Sequence, residues 1–266
     1  MMIADLRALK SMLYKINRLG IEETLMTIGD NKIHGRYVDP AHVAMLDMTL
    51  HIKGCTLKKP ETIGIDVSSL NFKIQDLPIG SILKRDFPEN NIKIKTIMKK
   101  ETIVGLEFQH PMLKFQKTLV DSASLHEPSL PESLFKTIDV TANINTRQLR
   151  IFLKIAEREM DHIVLIAEKK KNKLIAEYKN DYGETVETDL TYSLGGIEGT
   201  DLRFVASPLE RVKALFSIDY MQYFLSNLKA PIIKIGFKND NPLIIWWKEE
   251  ELLEGIYVLA PRVESE

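Results

Sequence analysis

Eight basic residues fall at helical spacing in two places: Arg7, Lys10, Lys15 and Arg18, and again Arg147, Arg150, Lys154 and Arg158. Lysine and arginine without interleaved exposed aromatics, and without a pattern of Asn or Gln, contact phosphates and do not read bases. Such binding is non-specific, weakens with salt and permits sliding. A single basic helix face is more readily read as a solvated surface. Exposed helices, however, ordinarily mix signs to gain i,i+4 pairs. No acid follows Asp5 in the first run, and in the second Glu157 and Glu159 come in the last turn. Two nearly all-basic faces point to a shared anionic partner. Two further lysines, Lys73 and Lys229, belong to the shorter helices of each half and extend the set.

Other chemistries lack their residues. His34, His42, His51, His110, His126 and His162 are scattered and do not have metal-ligand spacing. Gly195, Gly196 and Gly199 precede no Lys-Ser or Lys-Thr, so they form no phosphate-cradling loop and read as a loop between strands. Glu249-Glu250-Glu251 reads as a hairpin turn in preference to a cation site. Trp246 and Trp247 are neighbours on a strand, so one faces in and the other out. No catalytic residue, metal or cofactor is expected.

These basic runs need helices to carry them. In residues 5–19 the apolar stripe is Leu6, Leu9, Leu13 and Ile16, with Asp5 as N-cap; in residues 146–159 it is Leu149, Phe152, Leu153 and Ala156. Between and after them strand-like segments dominate, among them residues 22–27, 32–38, 42–52 and 62–67 in the first half. The second half has 135–144, 162–167, 173–179, 187–193 and 211–216. A short helix is expected from Ser68 or Ser69, and another over residues 217–228. The plan is α+β with mostly antiparallel sheet. Composition agrees with a globular chain: 44% hydrophobic and 27% charged residues in 266, with a formal charge of −1. Any affinity for nucleic acid must therefore come from the arrangement of charge. No apolar run has the length of a bilayer span, and residues 1–4 lead directly into charged sequence without a signal peptide. Cys55 is the sole cysteine, which suits a reducing, intracellular setting.

The two helices share more than charge. Arg7-Ala8-Leu9-Lys10-Ser11-Met12-Leu13 and Arg147-Gln148-Leu149-Arg150-Ile151-Phe152-Leu153 match at a spacing of 140 residues, and Ile92-Lys93-Ile94 recurs as Ile233-Lys234-Ile235. A shared spacing near half the chain length reads as two copies of one fold. Residues 121–132, rich in Ser and Pro and without a period, are the expected joint, although an ordinary interdomain linker has the same look. The expected division is residues 1–120, a connector at 121–133, and residues 134–266.

Several short stretches, taken in order, resemble DNA sliding clamps of the proliferating cell nuclear antigen type, archaeal or eukaryotic. Residues 37–46, Y-V-D-P-A-H-V-A-M-L, resemble the family's strand–turn–strand. Tyr257-Val258-Leu259-Ala260-Pro261-Arg262-Val263-Glu264 resembles its terminal strand and tail. Leu130-Pro131-Glu132 resembles the end of its interdomain connector, and Asn241-Pro242-Leu243 the hairpin beside it. No one of these motifs is diagnostic; their order and spacing over the whole chain carry the resemblance.

The resemblance implies the DNA clamp fold: three subunits of two similar domains, closed head to tail around duplex DNA, helices lining the hole and sheets outside. The implied channel residues are Arg7, Lys10, Lys15, Arg18, Lys73, Arg147, Arg150, Lys154, Arg158 and Lys229. The implied subunit interface lies on edge strands near 112–119 and 172–179, through Met112, Leu113, Phe115, Leu119, Leu174, Ala176 and Tyr178. The implied socket for partner peptides is Val38, His42, Val43, Met45, Leu130, Pro131, Pro242, Val258, Leu259, Ala260 and Pro261. Implied partners are duplex DNA, DNA polymerase, other proteins with a clamp-binding motif, a clamp loader, and self or paralogous subunits. The implied role is that of a non-enzymatic processivity factor working with DNA in an archaeal cytoplasm or a nucleus. A damage-checkpoint clamp subunit of the same fold and a monomeric interaction scaffold are the alternatives. Three features depart from the family: the near-neutral charge, a first strand that is very short or missing, and weakly basic second helices.

Overall fold

The computed structural model describes residues 1–79, 90–191, 201–205 and 209–262. The glycine loop 195–199 and the end of the tail, Val263 and Glu264, lie outside them. The chain divides into two compact units, one of Met1–Ser129 with Lys248–Gly255, the other of Leu130–Trp247 with Ile256–Glu266.

Unit 1 contains β1 (Met2–Asp5), α1 (Leu6–Arg18), β2 (Glu23–Gly29), β3 (Lys32–Val38), β4 (Ala44–Lys53), β5 (Glu61–Asp66), α2 (Val67–Gln75), β6 (Asn91–Lys99), β7 (Thr102–His110) and β8 (Leu113–Thr118). Its strands pair in the order β5-β2-β3-β4-β1-β6-β7-β8. A short helix, α3 (Ser133–Lys136), precedes the second sheet system. The remaining elements, in unit 2 apart from the stretch Lys248–Gly255, are β9 (Val140–Asn145), α4 (Thr146–Ala156), β10 (His162–Glu168), β11 (Lys173–Lys179), β12 (Thr185–Asp189), β13 (Arg203–Phe204), β14 (Arg211–Ser217), α5 (Ile218–Leu225), β15 (Ile232–Phe237), β16 (Leu243–Glu249) and β17 (Leu253–Leu259). Here the orders are β13-β9-β15-β16-β17 and β12-β11-β10-β14. The pairings are antiparallel, as the hairpin-rich sequence requires.

The repeat is visible in how each long helix starts. The Asp5 carboxylate accepts from the N–H groups of Arg7 (2.8 Å) and Ala8 (3.1 Å). Asn145, 140 residues on, accepts from Arg147 (2.9 Å) and Gln148 (3.2 Å). Each cap satisfies two otherwise orphaned donors of the first turn. The apolar stripes then bury: Leu6, Leu9, Leu13 and Ile16 on α1, Leu149, Phe152, Leu153 and Ala156 on α4.

Some expected boundaries move for physical reasons. The first strand exists but is four residues long. α2 starts at Val67 because Asp66 caps it, accepting from Ser69 N–H at 2.9 Å. The strand expected from residue 135 begins at Val140, since residues 133–136 turn once as helix.

Candidate nucleic-acid and peptide interfaces

The basic residues divide by what their side chains touch. Arg18, Arg147, Lys154, Arg158 and Lys229 are exposed. Arg7 is half-exposed and turns back to Asp5, guanidinium to carboxylate at 3.1 Å, which raises its pKa through that hydrogen bond. Lys73 is half-buried, its ammonium 5.2 Å from the centre of the Phe115 ring.

Lys10 and Arg150 are repeat equivalents and do the same structural job. The Lys10 ammonium donates to the Gln75 carbonyl at 2.7 Å and to the Leu77 carbonyl, at the end of α2; the Gln75 amide returns a bond to the Lys10 carbonyl at 2.9 Å. The Arg150 guanidinium donates to the Leu228 carbonyl just past α5. Both cations meet the orphaned carbonyls and negative dipole end of a second helix.

Lys15 departs from the expectation of a solvent-facing channel residue. It is 2% exposed. Its ammonium donates to Glu249 at 2.9 Å and to Ser11 Oγ at 2.6 Å, and Ser11 donates to the same carboxylate at 3.2 Å. Glu249 belongs to the hairpin tip Lys248–Gly255 that is part of unit 1. A buried ammonium requires such a partner, so this lysine is a structural ion-pair member. Ser11 and Glu249 were missed from the sequence because a serine on a helix and an acid in a turn are both ordinary surface residues.

The residues expected at a peptide socket have distinct roles within each unit. In unit 1 the turn between β3 and β4 is organised by Asp39, 3% exposed, whose carboxylate accepts from the N–H groups of Ala41 (3.1 Å), Val43 (2.7 Å) and Ala44 (2.6 Å). This holds His42 in the left-handed region, φ 57°, with its imidazole exposed. Val38, Val43 and Met45 each keep part of their surface. Val38 and His42 line a groove of about 510 Å³ together with Ile21, Glu22, Glu23, Pro40, His126 and Pro128. The connector starts beside β5: Val120 N–H donates to the Gly64 carbonyl at 3.1 Å. A Cβ at Gly64 would lie 2.6 Å from the Val120 carbonyl oxygen, so only glycine lets the chain pass so close.

In unit 2, Leu130, Pro131, Pro242, Ala260 and Pro261 present surface, while Val258 is 8% and Leu259 0% exposed. Leu259 therefore corrects the expectation: its side chain is core and offers nothing to a ligand. The chain leaving β17 is fixed twice. Arg262 N–H donates to the Leu215 carbonyl at 2.8 Å, and its guanidinium pairs with Asp161 at 2.5 Å. Hydrogen bonds from Arg262 and then His162 hold the Asp161 pKa down to about 2.

The edge strands need one correction. β8 pairs with β7 and ends its sheet, with Met112 63% and Leu113 39% exposed; Phe115 stacks on Phe108 at 5.0 Å, and Leu119 is half-buried. The second expected edge, residues 172–179, is an interior strand. β11 is paired on one side to β10 and on the other to β12, and Leu174, Ala176 and Tyr178 are buried. The edge is β12, residues 185–189.

With doubled α+β units, capped basic helices and open sheet edges, the fold is that of a DNA clamp. Solved structures agree: one described as the C-terminal region of FEN-1 bound to A. fulgidus PCNA superposes with TM-score 0.79 at 18% identity, covering 100% of both chains. PCNA from Thermococcus kodakaraensis superposes with TM-score 0.76 at 20% identity, covering 98% of this chain and 99% of that one. In sequence the chain is similar to archaeal proteins named DNA polymerase sliding clamp. It is 24% identical to that of Methanothrix thermoacetophila, covering 99% of this chain and 98% of the relative. It is 28% identical to that of Methanocella arvoryzae and 25% to that of Pyrococcus furiosus, over 92% of this chain and 92% and 91% of theirs. No protein-family profile matches the sequence.

Proposed function

We propose that the chain is a ring-forming DNA sliding clamp, a non-enzymatic processivity factor that encircles duplex DNA and tethers DNA polymerase and other replication and repair proteins. The observation that carries this reading is the internal duplication with unequal edges. In unit 1 the hairpin tip bonds to β4, His51 N–H donating to the Leu252 carbonyl at 2.8 Å. By the repeat, β12 is the counterpart of β4 and β8 the counterpart of β17, and these two edges end their sheets. Heterologous edges of this kind generate a closed ring when the rotation fits. The named relatives, matched over 98%, 92% and 91% of their length, support the same reading.

The exposed cations Arg18, Arg147, Lys154, Arg158 and Lys229 are the residues proposed to meet phosphates, with Arg7, Lys73, Lys10 and Arg150 adding field from anchored positions. The residues proposed to meet partner peptides are Val38, His42, Val43 and Met45 in unit 1, and Leu130, Pro131, Pro242, Val258, Ala260 and Pro261 in unit 2. Apolar surface beside exposed backbone suits aromatic anchors. The solved complex of A. fulgidus PCNA, similar in fold, with the C-terminal region of FEN-1 supports a partner of this kind. A clamp loader and an intracellular site of action with DNA complete the proposal.

The test is topological. Protein loaded on nicked circular DNA should survive moderate salt and be lost on linearisation; equal loss from circles and linear fragments rejects encirclement. Leu130→Ala with Pro261→Ala should weaken binding of a clamp-binding peptide in calorimetry while light scattering still reports the assembly.

A further inference from the structure

We propose that Tyr14 on α1 and Phe72 on α2 form a stacking platform for unpaired DNA bases, so that the helix layer of unit 1 holds a single-stranded gap in a duplex more tightly than intact duplex. The inference rests on the reading of the basic helices as a DNA surface and adds a base-contacting element to it.

The residues of α1 that keep surface are Arg7, Lys10, Tyr14, Asn17 and Arg18, a single helical stripe. Tyr14 stands inside it, with the Arg18 guanidinium 5.8 Å from the centre of its ring. The outward side of α1 therefore carries aromatic surface as well as charge. On α2, Val67, Leu70 and Ile74 are buried, which turns Phe72 away from the core; it is 74% exposed.

Hydrogen bonds fix how the two helices lie. Ser68 Oγ donates to the Asn17 side chain at 3.4 Å, and the Lys10 ammonium donates to the Gln75 carbonyl at 2.7 Å. The late part of α1 thus meets the start of α2, and the early part meets its end, so the helices run antiparallel. Tyr14 lies three residues before Asn17 and Asn71 three after Ser68, which sets Tyr14 level with Asn71 and its neighbour Phe72. The two aromatics share a height and the solvent side of one helix pair.

Unit 2 repeats the layout with other residues. The carbonyls that accept from Lys10 and Arg150, those of Leu77 and Leu228, are 151 residues apart, as are the N-cap residues Asp66 and Ser217. At that spacing Phe72 becomes Tyr223, and at 140 Tyr14 becomes Lys154. The Gln222 amide donates to the Leu153 carbonyl at 3.3 Å, which sets Tyr223 level with Lys154. Unit 2 thus places a cation beside its aromatic, and the Tyr223 ring already packs on Tyr220 at 5.9 Å. Unit 1 places two aromatics there, and among the described residues no ring packs on Phe72.

One exposed apolar side chain is ordinary. An aromatic pair set among Arg7, Arg18 and Lys73 is a different surface. The cations attract the phosphate backbone, and the ring faces offer a place to bases that have left the stack. Intact duplex keeps its bases on one another; a gap releases them. Every base has a π-face, so the platform needs no particular sequence.

The experiment uses the full chain at low salt with two DNAs, an intact duplex and the same duplex with a short gap carrying 2-aminopurine. Fluorescence anisotropy reads binding, quenching of the 2-aminopurine reads stacking, and circular dichroism with thermal melting controls for folding. Wild type should bind the gapped DNA about tenfold more tightly and quench its probe. Phe72→Leu, which keeps apolar bulk and removes the ring, should lose most of the preference and of the quenching, with duplex affinity and melt unchanged. Phe72→Trp should keep both. A wild type that binds duplex without preferring or quenching the gap overturns the platform and leaves the DNA reading standing. So does a Phe72→Leu variant that keeps both signals, since the preference then comes from the flexibility of gapped DNA. Failure of the wild type to bind either DNA overturns the DNA reading and this inference with it.

Discussion

α1 and α4 follow one pattern and differ where their surroundings differ. Both begin at a side-chain cap, both bury an apolar stripe, and both use the residue at the same repeat position, Lys10 or Arg150, to bond the end of a second helix. They part at one face. On α1 it is polar and covered; on α4 it is apolar and open. The shared positions do jobs internal to any one unit, while the divergent positions answer to whatever lies across the helix. A duplicated fold thus separates the residues that both copies need from those that answer to the surroundings of one copy.

The strongest way to break this comparison is at the covered face. Glu249→Ala takes away the carboxylate that the buried Lys15 ammonium bonds at 2.9 Å, and losing one member of a buried pair costs roughly 3–5 kcal/mol. Urea unfolding should show the loss. Replacing both residues with apolar ones of similar volume, Lys15→Met with Glu249→Leu, should restore most of it. On the open face, Ile151→Ala and Ile155→Ala should each change the stability of the single chain by about 0.5 kcal/mol or less. A small effect of Glu249→Ala would mean that water reaches Lys15 and that the two faces are more alike than their burial indicates.

The caps come next. Asn145→Ala should cost about 1 kcal/mol in unfolding free energy, as is typical for a lost N-cap. Asp5→Ala should cost that and a little more, since the carboxylate also holds the Arg7 guanidinium at 3.1 Å, a surface pair worth about 0–1 kcal/mol. Equal losses at the two sites would show that the Arg7 pair contributes nothing.

Much of this architecture was legible in the sequence. The cap at Asp5, both helical stripes, the 140-residue repeat and most strands follow from apolar periodicity and short-range side-chain chemistry, which local sequence contains. What local sequence does not contain is which residues meet from far along the chain. Lys15 looks like its basic neighbours until Glu249, 234 positions later, is placed on it. β11 stands as an edge by resemblance, yet β12 pairs with it, and pairing partners are a long-range property. Leu259 looks like a socket residue by resemblance, and only packing shows it at 0% exposure.

The basic faces sharpen the comparison on the side of DNA. Arg147, Lys154 and Arg158 are exposed, whereas Lys10 and Arg150 are tied to helix-end carbonyls. Alanine at an exposed position that contacts a phosphate should reduce the salt slope of duplex binding by about 0.9 per contact. Lys10→Ala and Arg150→Ala should change that slope less and lower the melting temperature more, because each leaves orphaned carbonyls behind. Binding isotherms at several salt concentrations, read beside thermal melts of the same variants, separate the two groups. If Lys10→Ala has the larger slope effect and no melting effect, the division by contact is wrong.

The smallest expected effect concerns how each unit releases its chain. In unit 1 the exit is held by the Val120 N–H on the Gly64 carbonyl; in unit 2 the matching bond, Arg262 N–H to the Leu215 carbonyl, is reinforced by the Asp161–Arg262 ion pair. Asp161 has its pKa depressed from 3.8 to about 2, so its folded-state advantage is fully present above about pH 4 and is lost as pH falls toward 2. Asp161→Asn at neutral pH should mimic that loss: hydrogen exchange at the Arg262 amide should quicken a few-fold, while exchange at Val120 should not change. Both groups are partly exposed, so solvent screening keeps the effect modest. Since Arg262 follows Ala260 and Pro261 directly, the same variant should weaken a bound clamp-binding peptide slightly. Unchanged exchange at Arg262 would mean that the backbone bond alone holds the exit, in unit 2 as in unit 1.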